Sequence, residues 1–146
     1  MVSIASENVE MYIKTIWELN QKKGRAKTTE ISSMLKVVPS SVTEMLQKLQ
    51  EEEYIVHIDY KGCKLTEKGN TAALKLIRKE RLLKRFLYNV LKIPKNKVRD
   101  QACRLEHYIS SETEESLCRF LGCPSNCPVD NMPIPKCSEC LSKFAD

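Results

Sequence analysis

Large aromatic side chains are scarce in this 146-residue chain, which has three phenylalanines, five tyrosines and one tryptophan. With so few anchors, the buried area must come from Leu, Ile, Val and Met repeated along helical faces, which favours a mainly α architecture. Long apolar runs are missing too. No stretch approaches the roughly 18 residues that a membrane span requires. The opening Met1 to Glu10 has neither a basic nor an apolar segment. A membrane protein and a secreted precursor are therefore disfavoured, and a cytoplasmic location is expected. Histidine is limited to two residues. His57 falls in a β-rich stretch, and no HExxH motif or second carboxylate accompanies His107, so a zinc hydrolase lacks support and no enzyme is expected. Neither an internal repeat nor a low-complexity segment is found.

Cysteine, by contrast, is plentiful. Seven cysteines, an odd number in a chain without an export signal, argue for a reducing compartment and against a disulfide framework. Five of them, Cys118, Cys123, Cys127, Cys137 and Cys140, crowd into the last thirty residues, and in a reduced protein such crowding points to metal. Charge is uneven as well. Residues 76–104 carry ten basic against two acidic side chains, and residues 105–146 carry three against seven. This asymmetry suits either a polyanionic partner or internal pairing between segments.

From Val9 to Asn20, apolar residues at Val9, Tyr12, Ile13, Ile16, Trp17 and Leu19 follow helical spacing. Gly24 marks a turn, and Thr28 or Thr29 is positioned to cap a short helix ending at Leu35. Pro39-Ser40-Ser41 then supplies a turn proline and hydroxyl caps for a further helix. Its buried stripe is Val42, Met45, Leu46 and Leu49, leaving Ser41, Thr43, Glu44, Gln47 and Lys48 outside. Two short helices so joined match a helix-turn-helix, whose second helix suits the major groove. Tyr54 to Leu65 reads as two strands about a turn near Asp59 to Gly62, the wing of a winged helix. A small helical bundle with a hairpin would fit the same pattern.

Thr66-Glu67-Lys68-Gly69 restarts helical structure, and apolar residues from Ala72 to Val90 continue to a break at Pro94. That face exceeds what one small winged helix can use and leaves surplus for a second copy of the chain. Segments Asn96 to Tyr108 and Glu112 to Leu121 would complete a helical dimerisation unit. The expected organisation is a winged-helix domain over 1–70, a dimerisation and metal-binding domain over 71–122, and a cysteine-rich tail over 123–146.

Cys103-Arg104-Leu105-Glu106-His107 carries the most chemistry. On a helix, Cys103, Glu106 and His107 project to one side, and thiolate, carboxylate and imidazole together suit a transition metal rather than magnesium or calcium. Taken alone, the string fits equally well a core cysteine, a solvated glutamate and a helix-terminal histidine.

The chain resembles the diphtheria-toxin repressor family of metal-dependent transcriptional regulators. The resemblance runs over Glu10-Met11-Tyr12 with Thr15-Ile16, the helix-turn-helix and wing, Leu65-Thr66-Glu67-Lys68-Gly69, Arg78-Lys79 with Arg81-Leu82, and Asp100 to His107. It covers roughly residues 7 to 121. It implies a homodimer whose winged helices bind palindromic operator DNA when a divalent metal is held by Met11, Cys103, Glu106 and His107. Sulfur donors favour iron(II), cobalt or nickel over manganese, which places the site nearer the iron-responsive branch.

Departures from the family are equally informative. Where iron-type members carry an ancillary site of two histidines and a glutamate, this chain has Glu80, Lys84 and Arg99. Two positive side chains would repel a cation, so that site is expected to be absent or rebuilt, with a Lys84 or Arg99 contact to Glu80 replacing the ion. As far as this sequence runs, the SH3-like third domain of longer relatives has no counterpart. Cys123, Cys127, Cys137 and Cys140 instead form two close pairs, suited to tetrathiolate zinc or an iron–sulfur cluster. By position on the motif, Lys27, Thr28, Lys48 and Lys61 should contact phosphates, while Ser40, Ser41, Thr43 and Glu44 face base edges. A rival reading makes the tail cysteines a redox or cluster sensor that controls DNA binding.

Overall fold

The computed structural model describes residues 7–58 and 60–136. The chain divides into two compact units, Met1–Ala73 and Leu74–Asp146.

In the first unit, α1 (Glu7–Lys23) is followed by α2 (Thr28–Leu35), α3 (Pro39–Glu51) and an antiparallel hairpin, β1 (Ile55–Ile58) and β2 (Gly62–Leu65). The helix-turn-helix followed by a two-stranded wing is thus the observed architecture. Val9, Ile13, Ile16 and Leu19 of α1 pack with Ile31 of α2, and with Val42, Leu46 and Leu49 of α3. Ile55, Cys63 and Ala73 close the same core.

Local chemistry sets the helix ends differently from the expected caps. Lys27, not a threonine, is the residue before α2, and the Glu30 carboxylate accepts its N–H at 3.2 Å. Val38 precedes α3 with no side-chain cap, so Pro39 takes the first helical position, where its missing N–H costs nothing, and Ser40 and Ser41 lie inside the first turn. Between the helices, Lys36 adopts a left-handed conformation (φ 56°), a position usually given to glycine or asparagine.

The wing is pinned to α1. Ala26 and Cys63 exchange backbone hydrogen bonds at 2.9 and 2.8 Å. The Asn20 side chain accepts the Leu65 N–H at 3.0 Å and donates to the Cys63 carbonyl at 3.3 Å. Gly62 (φ 108°) permits this approach, since a Cβ there would lie 2.2 Å from the Ala26 carbonyl oxygen. Asp59, in the expected turn, lies outside the described residues.

The second unit follows from α4 (Glu67–Arg85), which gives way to a π-helical turn (Phe86–Val90), then α5 (Lys95–Leu105) and α6 (Ser111–Phe120). The expected uninterrupted helix to Pro94 is thus corrected: Leu91 N–H bonds to the Phe86 carbonyl at 3.2 Å, and Lys92 turns left-handed before Ile93. The α5 helix is also shorter than expected, ending at Leu105, with a hydrogen-bonded turn carrying the chain through Tyr108. Leu83, Leu87, Val98 and Ala102 form one core cluster. Leu82, Cys118 and Ile134 form another.

At Gly24 (φ 76°) an added methyl group would meet no atom within 4 Å, whereas at Gly62 it would clash. Gly24→Ala is therefore expected to cost only the backbone conformational penalty of about 1 kcal/mol. Gly62→Ala should cost about 2 kcal/mol more than that, read as the difference in urea midpoints between the two variants.

Candidate metal centre and nucleic-acid interface

Val98 and Ala102 bury one side of α5 and thereby fix its rotation. Cys103 lies on its last turn. Glu106 follows as the C-cap in right-handed helical geometry, its N–H bonded to the Ala102 carbonyl at 3.0 Å, so the helical path continues just far enough to carry His107 alongside. The donor atoms of Cys103, Glu106 and His107 all lie within 4.8 Å of one another. His107 Nε2 is 3.4 Å from Glu106 Oε1, and the two side chains are 2% and 0% exposed. Two donors each about 2.1 Å from a tetrahedral ion would stand about 3.4 Å apart, so the spacing suits a first-row divalent metal. A soft thiol, a hard carboxylate and an imidazole form a donor set of the kind transition metals take. The negative pole at the C-terminus of α5 adds to the attraction for a cation. Met11 is a half-buried residue of α1 in the other unit.

Of the positions expected to touch DNA, Ser40, Ser41, Thr43, Glu44 and Lys48 are all exposed on α3. The Thr43 hydroxyl donates to the Pro39 carbonyl at 3.1 Å, which leaves its methyl and oxygen lone pairs outward. Lys27 is exposed and Thr28 half-buried at the start of α2, and Lys61 is exposed at the tip of the wing. A groove of about 550 Å³ runs between α1 and α3, lined by Ser41, Glu44 and Lys48 and also by Gln47 and Glu51.

Of the three residues expected to stand in for an ancillary ion, Lys84 Nζ lies 2.8 Å from Glu80 Oε1, the expected contact, while Arg99 is exposed on α5. A second partner escaped the sequence reading: Asp130 Oδ2 stands 3.0 Å from the same ammonium. Burial pulls the Lys84 ammonium down, but the Glu80 and Asp130 carboxylates outweigh it and hold its pKa above the ordinary lysine value. Only a search for acids able to match a lysine at an apolar-stripe position could have suggested Asp130.

Among the tail cysteines, Cys123 is half-buried and Cys127 fully buried. The Cys127 thiol lies within hydrogen-bonding reach of the Val129 and Asp130 backbone N–H groups and of the Asp130 carboxylate, and burial pushes its pKa up. Cys137 and Cys140 lie outside the described residues.

A family model for the iron dependent repressor N-terminal DNA binding domain matches residues 5–63, and one for its metal binding and dimerisation domain matches residues 66–136. The chain belongs to the iron-dependent repressor family. Members of this family are metal-dependent transcriptional repressors, not enzymes. Over 107 residues the chain is 36% identical to the HTH-type transcriptional regulator MntR of Bacillus pumilus, covering 73% of this chain and 74% of the relative. It is 32% identical over 133 residues to the diphtheria toxin repressor of Corynebacterium diphtheriae, covering 91% and 58%. The crystal structure of ScaR with bound Zn2+ superposes with a TM-score of 0.78 at 34% identity, covering 88% of this chain and 59% of that one. The chain thus spans about three fifths of its two longer relatives. No helix among the described residues is long and apolar enough to cross a membrane.

The thiols of this family member should differ sharply in reactivity. Burial in the wing pushes the Cys63 thiol up to about 11, whereas Cys103 and Cys123 are only half-buried. In metal-free native protein at pH 8, iodoacetamide is expected to label Cys103 and Cys123 well before Cys63, as read by peptide mass spectrometry. Cys63 labelling should accelerate only as the pH approaches about 11.

Proposed function

We propose that this chain is a cytoplasmic, homodimeric repressor that binds palindromic operator DNA when iron(II) or a similar divalent transition metal is held by Cys103, Glu106 and His107. The observation that carries the reading is the convergence of these three donors around a fully buried carboxylate. Met11 enters as a fourth donor through the family resemblance alone. When bound, the divalent ion would supply the positive charge and directional bonds that this anionic donor set calls for.

Each residue then has a defined task. Glu106 supplies the buried negative charge. To hold an ion, His107 would serve as the neutral imidazole and Cys103 as the thiolate. The thiolate biases the site toward iron(II), cobalt or nickel. Zinc also suits this ligand set, and ScaR has been crystallised with Zn2+. On the reading head, Ser40, Ser41, Thr43 and Glu44 face base edges, while Lys27, Thr28, Lys48 and Lys61 hold the phosphates. The exposed apolar residues of the second unit, among them Val90, Leu91, Leu105 and Phe120, provide area for pairing with a second copy.

The rival in which a zinc or iron–sulfur site on Cys123, Cys127, Cys137 and Cys140 governs DNA binding has less support. Among the described residues, Cys127 is already engaged within its own loop.

Iron(II) added anaerobically to metal-free protein should tighten operator binding at least about tenfold, measured by fluorescence anisotropy. His107→Ala should abolish that gain, and Cys137→Ser with Cys140→Ser should keep it. The reverse pattern would hand control to the tail thiols. Lys48→Ala should weaken binding to all sequences alike and lower the slope of log affinity against log salt by about one.

A further inference from the structure

Arg78, Arg81 and Lys84 recur every three residues along α4, Arg85 follows Lys84 directly, and all four reach the segment 126–135. Arg78 donates to the Pro135 carbonyl at 3.0 Å, Arg81 to the Pro133 carbonyl and Arg85 to the Asn126 carbonyl at 2.8 Å. Lys84 alone meets a carboxylate of the segment, Asp130, at 3.0 Å, and it meets Glu80 on its own helix at 2.8 Å. Its side chain is 5% exposed.

An ammonium between two carboxylates has the coordination that a small hard cation would take. Here that cation is covalently part of the chain. A divalent ion could not share the position, because it would face a buried like charge about 3 Å away, and a buried repulsion of that kind is not screened. Removing the ammonium alone would take away the cation that stands between Glu80 and Asp130, which is unfavourable unless another cation enters.

We infer that the Lys84 ammonium permanently occupies the place of an ancillary ion, binding Glu80 to Asp130 and docking the segment 126–135 on α4 without metal. The protein therefore takes no divalent ion between Glu80 and Asp130. This inference goes beyond the proposed sensor site and does not depend on it.

The test uses the full chain after chelator treatment. Hydrogen exchange read by mass spectrometry should show slow exchange over residues 126–135 in the metal-free wild type, where the Cys127, Asn131 and Ile134 N–H groups are bonded within the loop. Lys84→Met should make that segment exchange at least about tenfold faster in chelator, and manganese(II), an oxygen-preferring ion, should restore slow exchange. Glu80→Gln combined with Lys84→Gln, which removes both charges of the pair on α4, should bind as many cobalt(II) equivalents as the wild type in equilibrium dialysis. The inference fails if the wild-type segment becomes protected only after metal is added. It fails also if the double variant loses one equivalent, or if manganese(II) leaves the Lys84→Met segment unprotected. His107→Ala separates this inference from the sensor reading: losing the ion at the end of α5 should leave exchange over 126–135 slow.

Discussion

A carboxylate with no exposed surface needs positive charge or several hydrogen bonds around it, and Glu106 places that demand at the end of α5. The demand is sharpened by position. The carbonyl end of a helix is its negative pole, so the glutamate and the helix terminus both draw a cation to one spot. Keeping Glu106 in helical geometry past the end of α5 sets His107 beside Glu106 and leaves Cys103 one turn behind. A longer regular helix would hold the same spacing, but it would bury the carbonyls that the observed turn leaves at the terminus. The donor cluster of this chain thus rests on a short stretch of backbone and the burial of one acid.

The same logic explains where the basic block of residues 76–104 goes. A run of ten positive side chains against two negative ones suggests a polyanion as readily as an internal partner. Arg78, Arg81 and Lys84 resolve the choice locally, because they are buried and directed at carbonyls, at Glu114 and at Asp130. Arg78 pairs with Glu114 of α6 and also holds Pro135, so one guanidinium joins three segments of the second unit. Buried ion pairs of this kind add little net stability but fix geometry, since any other arrangement leaves a charge uncompensated. Arg99 and Arg104 are exposed on α5, where Arg104 lies 3.3 Å from Asp100 one turn earlier.

Much of this was legible in the sequence, and the reasons for the failures are physical. Helical periodicity located every helix among the described residues, because burial of one face leaves a pattern that short-range reading detects. The wing was legible from its β-branched run and Gly62. The convergence of Cys103, Glu106 and His107 was legible because three- and four-residue spacings translate directly into one helical face. Helix ends were read less well. Thr28 and Ser40 carry good capping side chains, yet Lys27 and Val38 hold the positions, because the buried stripes of α2 and α3 fix the phase and the caps follow. The π-helical turn at Phe86–Val90 left no local signal. Asp130 was missed since it lies 46 residues from Lys84, and no short-range pattern reports a partner at that distance.

What the reading head needs from its own unit is a fixed relation between α3 and the wing, and the packing supplies it without a metal. Leu46 and Leu49 hold α3 in the core that also contains Ile55 and Cys63 of the hairpin, so helix and wing share one set of contacts. The Asn20 side chain and the Ala26 backbone then fasten β2 through hydrogen bonds to the backbone of Cys63 and Leu65. Cys63, deep in the core and held protonated by burial, makes no demand for metal or partner there. Helix α3 and the wing are therefore presented to a partner as one preformed surface, because a single shared core holds both in place.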